Sequence, residues 1–426
     1  MTGWVTKMII LRAKYIIITP DIILENSAIA VKKGVIKDIF YGPTKTIKGK
    51  TYDFGNAIIS PGLINAHTHL EGPPLYGYSK SPIKPPQQFT EWAQKVIARR
   101  KELTPADYLK TINYGYNISI RNGITTVVDH TRLRFTLPAH RKAKLRRILV
   151  EEAICLDKTR ARDTLSIVKN ALRHAGKYSN GLFRPGLAPH SPFSVSPELY
   201  KMLFKLARQK GLPLSTHLSE LKEEVEFLKS GQGKMLSYLR KIGRQTDNWH
   251  PPRTTPVGYM KKLGMLKPPA FFIHCNYLTG NDIKLLAASG STVVYCPNSH
   301  HYFGHRNHPF RELLKAGVNV SLGTDGLGSN NDLNILGEMN FIRRNYRDFS
   351  PSEIFRMGTI NGAQTIGLGD KIGALKTGYA ADIAVFPIKN NGSFKRPNDA
   401  LAYLIEKTPQ SIFTMVNGLV VPKNIK

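Results

Sequence analysis

Cysteine is nearly absent, and so is any pattern that would give it a structural use. The 426 residues hold only Cys155, Cys275 and Cys296. Three thiols without a Cys-x-x-Cys pair make no disulfide framework, which fits a reducing cytoplasm. Long apolar runs are missing as well. The longest, such as Met8 to Leu11 and Tyr15 to Thr19, are far too short to span a bilayer. Lys7 is followed by a few apolar residues and then by charges, so no secretory signal is expected. Translation can also begin at Met8, where strand-like sequence starts. Acidic residues are few: 30 Asp plus Glu face 61 Lys plus Arg, a formal charge of +31. The bases are dispersed, with short clusters such as Arg141 to Arg147, and no zinc-finger, RNP or KH signature accompanies them. The excess therefore predicts an anion-attracting surface, with neither a specific nucleic-acid partner nor a membrane.

What remains is ordinary globular composition, 41% hydrophobic and 21% charged. The length allows one barrel-sized domain and a smaller satellite. In the first sixty residues, apolar segments (Ile16 to Thr19, Ala28 to Val31, Val35 to Phe40, Ala57 to Ile59) alternate with turns, predicting a small antiparallel unit. From Pro61 to about Leu368 short apolar runs alternate with amphipathic stretches. Thr125 to Asp129, Leu212 to His217, Ala270 to His274, Thr292 to Cys296 and Val318 to Thr324 read as strands. Pro197 to Lys210, Glu220 to Ser230, Asp282 to Ser289 and Pro309 to Ala316 read as helices. Repeated units of this kind predict a parallel sheet, and eight of them close into an α/β barrel. After Asp370 strands return at Gly373 to Gly378, Asp382 to Phe386 and Thr414 to Val421, as the second half of the small β domain. Ser230 to Leu266, rich in Gly, Pro and basic residues, reads as an excursion over one face of the barrel.

The chemistry gathers at strand ends. In Ala57-Ile-Ile-Ser-Pro-Gly-Leu-Ile-Asn-Ala-His67-Thr-His69 two histidines two positions apart leave one face of a strand and can grip one divalent metal. Leu212-Pro-Leu-Ser-Thr-His217-Leu-Ser-Glu220 supplies a third histidine, with a glutamate placed to shuttle a proton. The plain alternative makes Glu220 an acidic first-turn residue of a helix. Phe271-Phe-Ile-His274 ends another strand in histidine, and Val318-Asn-Val-Ser-Leu-Gly-Thr-Asp325-Gly ends one in a carboxylate able to bind metal and accept a proton. Asp before Gly also caps turns. Four such strand ends, all on the face where barrels carry their chemistry, argue against coincidence. His190, in Pro-His190-Ser-Pro, is a candidate substrate contact, and His300 belongs to a histidine cluster with His301, His305 and His308. His130, His140, His174 and His250 read as structural or exposed, and Cys275 and Cys296 as buried thiols.

Together these residues resemble the amidohydrolase superfamily, in its branch of aminohydrolases acting on purines, pyrimidines, triazines and S-adenosylhomocysteine. The resembling motifs are Pro-Gly-Leu-Ile-Asn-Ala-His67-Thr-His69, His217-Leu-Ser-Glu220, His274-Cys-Asn, Cys296-Pro-Asn-Ser, Gly-Thr-Asp325-Gly-Leu-Gly-Ser329-Asn-Asn and Gly373-Ala-Leu-Lys-Thr-Gly-Tyr-Ala-Ala-Asp382. The resemblance implies a (β/α)₈ TIM-type barrel over 61–369 and a small β-sandwich domain built from 1–60 and 370–426. It implies one divalent metal, zinc first and iron second, on His67, His69, His217 and Asp325. Asp325 and Glu220 would move protons, and His274 would orient the activated water or polarise the substrate. Attack on an amino-bearing ring carbon would then release ammonia. The Pro-Cys-x-x-Cys of the other zinc deaminases is absent.

Finer motifs resemble the aminodeoxyfutalosine deaminases of menaquinone synthesis. They are His69-Leu-Glu71, Phe89-Thr-Glu-Trp92 with Val96-Ile-Ala-Arg99-Arg100, and His300-His-Tyr-Phe-Gly-His305. The resemblance makes Glu71, Trp92, Arg99, Arg100, His190 and His300 expected substrate contacts. Deaminases of S-adenosylhomocysteine carry a ribose-gripping glutamate near the stretch Ala98 to Glu102. Here that stretch holds Arg99-Arg100-Lys101, which suits a carboxylate-bearing nucleoside. The alternative is hydrolysis of another C–N or C–Cl bond, on a triazine, guanine or S-adenosylhomocysteine type of ring. A metal-free basic scaffold for nucleic acid is a third reading, which the complete ligand set disfavours. The expected partner is a small heterocyclic substrate, with homo-oligomerisation left open.

Overall fold

Strands from the two ends of the chain meet in one sheet, and the strands between them form another. The computed structural model describes residues 7–42, 47–72, 89–244, 249–268, 270–389 and 394–422; the stretch before Met8 that bears on the start site lies largely outside them. The strands are β1 (Ile9–Thr19), β2 (Ile22–Lys32), β3 (Val35–Phe40), β4 (Lys50–Asp53), β5 (Ala57–Pro61), β6 (Leu63–Thr68), β7 (Ile124–Thr131) and β8 (Arg146–Ala153). Then follow β9 (Phe183–Pro189), β10 (Leu214–Leu218), β11 (Ala270–His274), β12 (Thr292–Tyr295), β13 (Asn319–Leu322), β14 (Ile383–Pro387), β15 (Phe413–Val416) and β16 (Leu419–Val420).

The first sheet runs β16-β15-β14-β5-β1-β2-β3, with β4 on β1. Antiparallel pairing of β5 with β14, from Ala57↔Pro387 to Pro61↔Ile383, joins the two ends of the chain. The residues expected as a strand at Gly373 to Gly378 form turns instead. Gly373 and Gly378 stand at φ +89° and +88°, a region that breaks a strand and that glycine enters without a Cβ penalty. A helix, Asp399–Lys407, also falls in this terminal part. Its Ala400, Leu401, Leu404 and Ile405 are buried along one face.

The second sheet runs β13-β12-β11-β10-β9-β8-β7-β6, all parallel neighbours, with helices in the connections. The helix Pro197–Lys210 shows how the sequence punctuates these units. Ser196 caps it by accepting from Leu199 N, Pro197 opens it, and Gly211 ends it at φ +59°. Inward residues such as Ile64, Val128, Ile148, Ala188, Phe271 and Val294 fill the barrel. The ring closes where β13 meets β6: Thr324 N and Asp325 N donate to His67 O at 3.0 and 3.2 Å. Gly323 makes this approach feasible, because a Cβ there would stand 2.8 Å from His67 Cβ. Asn65 clamps the seam, its amide donating to Thr324 Oγ1 at 2.7 Å and its carbonyl accepting from Thr324 N at 3.1 Å. The fold is therefore an eight-stranded β/α barrel with a separate sheet drawn from both ends of the chain.

Candidate metal centre and its cavity

Every expected metal ligand arrives at the carboxyl end of a barrel strand. His67 lies in β6 and His69 just beyond it, His217 in β10, and Asp325 three residues after β13. Asp325 has φ +57°, His274 +69° and Cys275 +56°. Left-handed backbone at non-glycine residues costs on the order of 1–3 kcal/mol each, and here it turns the chain sharply as it leaves the barrel.

Their mutual distances fit a single small cation. His69 Nε2 stands 3.3 Å from His217 Nε2. Asp325 Oδ1 stands 3.5 Å from His67 Nε2 and 3.7 Å from His69 Nε2. A tetrahedral zinc with Zn–N of about 2.0–2.1 Å separates its ligand atoms by about 3.3 Å. Both ring nitrogens of His67 are buried without a hydrogen-bond partner. Orphaned buried imidazole nitrogens are costly unless something takes their lone pair, and a cation does. His217 Nδ1 lies 3.0 Å from His190 O. Donation to that carbonyl leaves the Nε2 lone pair free, as a metal ligand requires. Burial lowers the His69 pKa to about 4 and that of His217 well below the usual range, so both rings are neutral.

Asp325 is held from behind. Ser299 Oγ and Ser329 Oγ each donate to its Oδ2 at 2.7 Å, leaving Oδ1 to face the histidines. Burial pushes its carboxyl up, but the surrounding His67, His69 and His274 more than offset that, and it ends well below the ordinary range. Glu220 behaves oppositely. Burial, with Asp325 and Glu224 nearby, lifts its carboxyl well above the ordinary value, which favours the protonated form. Its Oε1 is 3.7 Å from His274 Nε2. His274 is neutral, lowered to about 3 chiefly by burial. One end of the barrel thus carries one carboxyl shifted down, one shifted up and neutral imidazoles, the pairing of opposed pKa values that acid–base chemistry uses.

A cavity of about 210 Å³ opens over this cluster. His69, His217, Glu220, His274 and Asp325 form its floor, and Trp92, Arg100 and His190 stand in its wall. Trp92 Nε1 donates to Gly328 O at 2.7 Å, which ties the helix Phe89–Glu102 to the loop after Asp325. The expected excursion contributes too, since Tyr238, Leu239, Ile242 and Arg244 cover one side.

Three expected contacts are not in that wall. Arg99 projects outward and pairs with Glu102 at 2.7 Å. Glu71 is buried behind the wall, accepting from Thr131 Oγ1 and Arg132 N at 3.0 Å each, with Arg100 Nη2 3.9 Å away. His300 packs among His305, His308 and Tyr295. His308 Nε2 reaches His274 O at 2.7 Å, so this cluster braces the turn at His274.

Sequence reasoning also passed over several residues. His130, read from the sequence as structural or exposed, is buried against the expected metal ligands, with ring centroids 4.5 Å from His67 and 4.9 Å from His217. Its Nε2 meets Ser215 Oγ at 2.6 Å and its Nδ1 has no partner. The nitrogens of His67, His69, His130 and His217 all lie within 4.8 Å of one another. Glu152, Arg132 and Arg244 line the cavity. For His130 and Glu152 the available signal was position, each at the carboxyl end of its strand.

A model of the amidohydrolase family matches residues 58–421. A 5-methylthioadenosine/S-adenosylhomocysteine deaminase of Pyrococcus furiosus is 30% identical over 399 residues, covering 90% of this chain and 85% of that relative. The structure of Helicobacter pylori aminofutalosine deaminase in complex with methylthio-coformycin is similar at a TM-score of 0.84 and 20% identity, over 97% of this chain and 100% of that one. An atrazine chlorohydrolase of Arthrobacter aurescens complexed with zinc is similar at 0.80 and 21% identity, over 97% and 94%. At such identities the two structures speak for a shared fold. With a family match running from the strand before the first histidine pair to the last strands of the terminal sheet, the chain belongs to the amidohydrolase family.

Proposed function

We propose that the chain is a metal-dependent hydrolytic deaminase of an adenine-like nucleoside, with release of ammonia. One observation carries this most: a cavity whose floor joins three neutral histidines to two carboxyls shifted in opposite directions, Asp325 down and Glu220 up. His67, His69, His217 and Asp325 would hold one divalent ion, zinc first and iron second. Such an ion supplies Lewis acidity and brings the pKa of a water molecule near neutrality. Asp325 offers an ionised oxygen to take a proton from the attacking water. Glu220 offers a proton to the ring nitrogen beside the attacked carbon, and His274 fixes the geometry between them. The amino group then leaves as ammonia with the proton that Asp325 has collected, and the added hydroxyl returns its proton to Glu220 as the carbonyl forms. The P. furiosus relative supports an adenine nucleoside, and the H. pylori structure supports one with an altered 5′ side.

Arg100, Arg132 and Arg244 in the wall favour an anionic 5′-substituent, as in aminodeoxyfutalosine. We assign Trp92 and His190 to substrate contact, Glu71 to supporting Arg100, and Arg99 and His300 to no direct contact. We further propose that 61–369 form the catalytic domain, with 1–60 and 370–426 as the smaller one. Three buried unpaired thiols fit a cytoplasmic location. Among the described residues no helix is long and apolar enough to cross a membrane. Hydrolysis of a triazine is the second reading, favoured by the shared fold of the zinc-bound chlorohydrolase. Ammonia release by metal-replete protein across a panel of adenine nucleosides, with a chlorotriazine scored for chloride, tests the two. Turnover of the triazine alone would overturn the deaminase reading.

A further inference from the structure

Glu152 is an ionisable group that the reaction described above leaves unused. It stands next to the end of β8 and lines the cavity. His190, Arg100 and Arg132 line the same wall. Among the described residues nothing hydrogen-bonds or ion-pairs with that carboxylate. The side chain is part-buried and opens on the cavity. A carboxylate accepts hydrogen bonds and donates none, so it is placed to take a donor from a ligand.

A second cation is not that ligand. Ligand atoms of Glu152, His190 and His217 do lie within 4.8 Å of one another. However, His217 has one free lone pair, on Nε2, and that nitrogen faces His69 at 3.3 Å. Without His217, the pair Glu152 and His190 lacks a third ligand. A cationic ligand group is disfavoured as well, because Arg100, Arg132 and Arg244 share the wall. A neutral hydroxyl suits the site: it donates a hydrogen bond to the carboxylate without adding positive charge.

The barrel's strand order says which hydroxyl. Around the ring β8 lies three strands from β11, which ends in His274, and three from β13, which leads to Asp325. Glu152 therefore stands across the mouth from the groups that act on the exocyclic amine. An adenine nucleoside whose amine faces His274 and Asp325 turns its sugar toward Glu152, and the sugar hydroxyls are its remaining donors. We propose that Glu152 is a substrate-binding carboxylate that accepts a hydrogen bond from a ribose hydroxyl and makes the enzyme selective for ribonucleosides.

The proposal rests on the deaminase reading, and the test separates the two. Ammonia release is measured for adenosine, 2′-deoxyadenosine and 3′-deoxyadenosine with metal-replete wild type, Glu152→Gln and Glu152→Ala, alongside metal content and melting temperature. Hydrogen bonds to charged groups are worth roughly 10- to 100-fold in kcat/KM. The wild type should prefer adenosine by that factor over at least one deoxy analogue. Both variants should lose it on adenosine while nearly keeping the rate on that analogue. Equal wild-type rates on all three nucleosides would overturn the proposal and leave the deaminase reading standing. So would equal losses on all three in the variants, which mark a structural role. Inertness of metal-loaded wild type toward every adenine nucleoside would overturn both.

Discussion

Ser299 Oγ donates to Asp325 Oδ2 at 2.7 Å, and Ser329 Oγ reaches the same oxygen at the same distance. The serines also touch each other at 3.1 Å. They give Cys296-Pro-Asn-Ser299 and Gly-Thr-Asp325-Gly-Leu-Gly-Ser329 a shared task, which is to aim Asp325 Oδ1 at the histidines. Removing such supporting groups typically weakens metal binding about 10- to 100-fold. Ser299→Ala combined with Ser329→Ala should lower zinc affinity by that order, read by competition against a chromogenic chelator. Unchanged affinity in a folded double variant would show that Asp325 needs no such aiming.

Removal of the ligands themselves should act more bluntly. Wild-type protein should hold about one tightly bound divalent ion per chain, and His67→Ala, His217→Ala or Asp325→Ala should lose it. Elemental analysis after dialysis checks this directly. Full metal content in all three variants would mean that the ion, if any, sits elsewhere.

Glu220→Gln should keep both metal and fold while losing most turnover. The amide preserves shape but cannot release and recover a proton. General acid–base groups contribute on the order of 10² to 10⁴ in rate. A metal-replete Glu220→Gln enzyme with kcat near that of wild type would remove Glu220 from the chemistry.

Legibility in the sequence followed the range of the interactions. The histidine pair of β6, the end of β10 and the Asp325 turn are local patterns, so their strands and their carboxyl-end placement were readable. Which of two neighbouring residues faces the cavity was not. Glu151 and Glu152 are adjacent on one strand, and strand geometry sends them to opposite faces: Glu151 is buried away from the cavity wall that Glu152 lines. Arg99 and Arg100 are about 100° apart on a helix, so one meets solvent and the other the cavity. His130 follows Asp129 in the same way, and only closure of the barrel brings it against His67. Arg244 enters the wall through an excursion whose path no local pattern encodes.

The barrel and the terminal sheet are joined by a buried ion pair. Arg146, at the start of β8, gives Nε to Asp382 Oδ2 at 2.9 Å and Nη2 to Oδ1 at 3.2 Å. Asp382 also accepts from Asn417 N at 2.7 Å. Arg146→Ala strands a buried carboxylate, and breaking such a pair on one side costs about 3–5 kcal/mol. Denaturant unfolding should register a loss of that size, while replacing both partners by apolar residues should cost less. A loss under about 1 kcal/mol would place the pair with weak exposed bridges.

Substrate charge supplies the last prediction, because two adjacent arginines act as test and control. Arg100 lines the cavity, whereas Arg99 projects to solvent and pairs with Glu102. Arginine holds a carboxylate through two parallel hydrogen bonds, which orient as well as attract. Arg100→Glu should therefore raise KM for an acidic adenine nucleoside such as aminodeoxyfutalosine by roughly 10- to 100-fold, the scale of a charged hydrogen bond. Its effect on adenosine should be much smaller. Arg99→Glu changes the net charge equally, so through the general field alone it should weaken the acidic substrate slightly, and added salt should erase that difference. The Arg100 effect should persist in salt because the contact is partly buried. Measuring kcat/KM for both substrates at low and high ionic strength separates contact from field. Equal, salt-sensitive losses in the two variants would show that the +31 charge steers acidic substrates without any dedicated arginine.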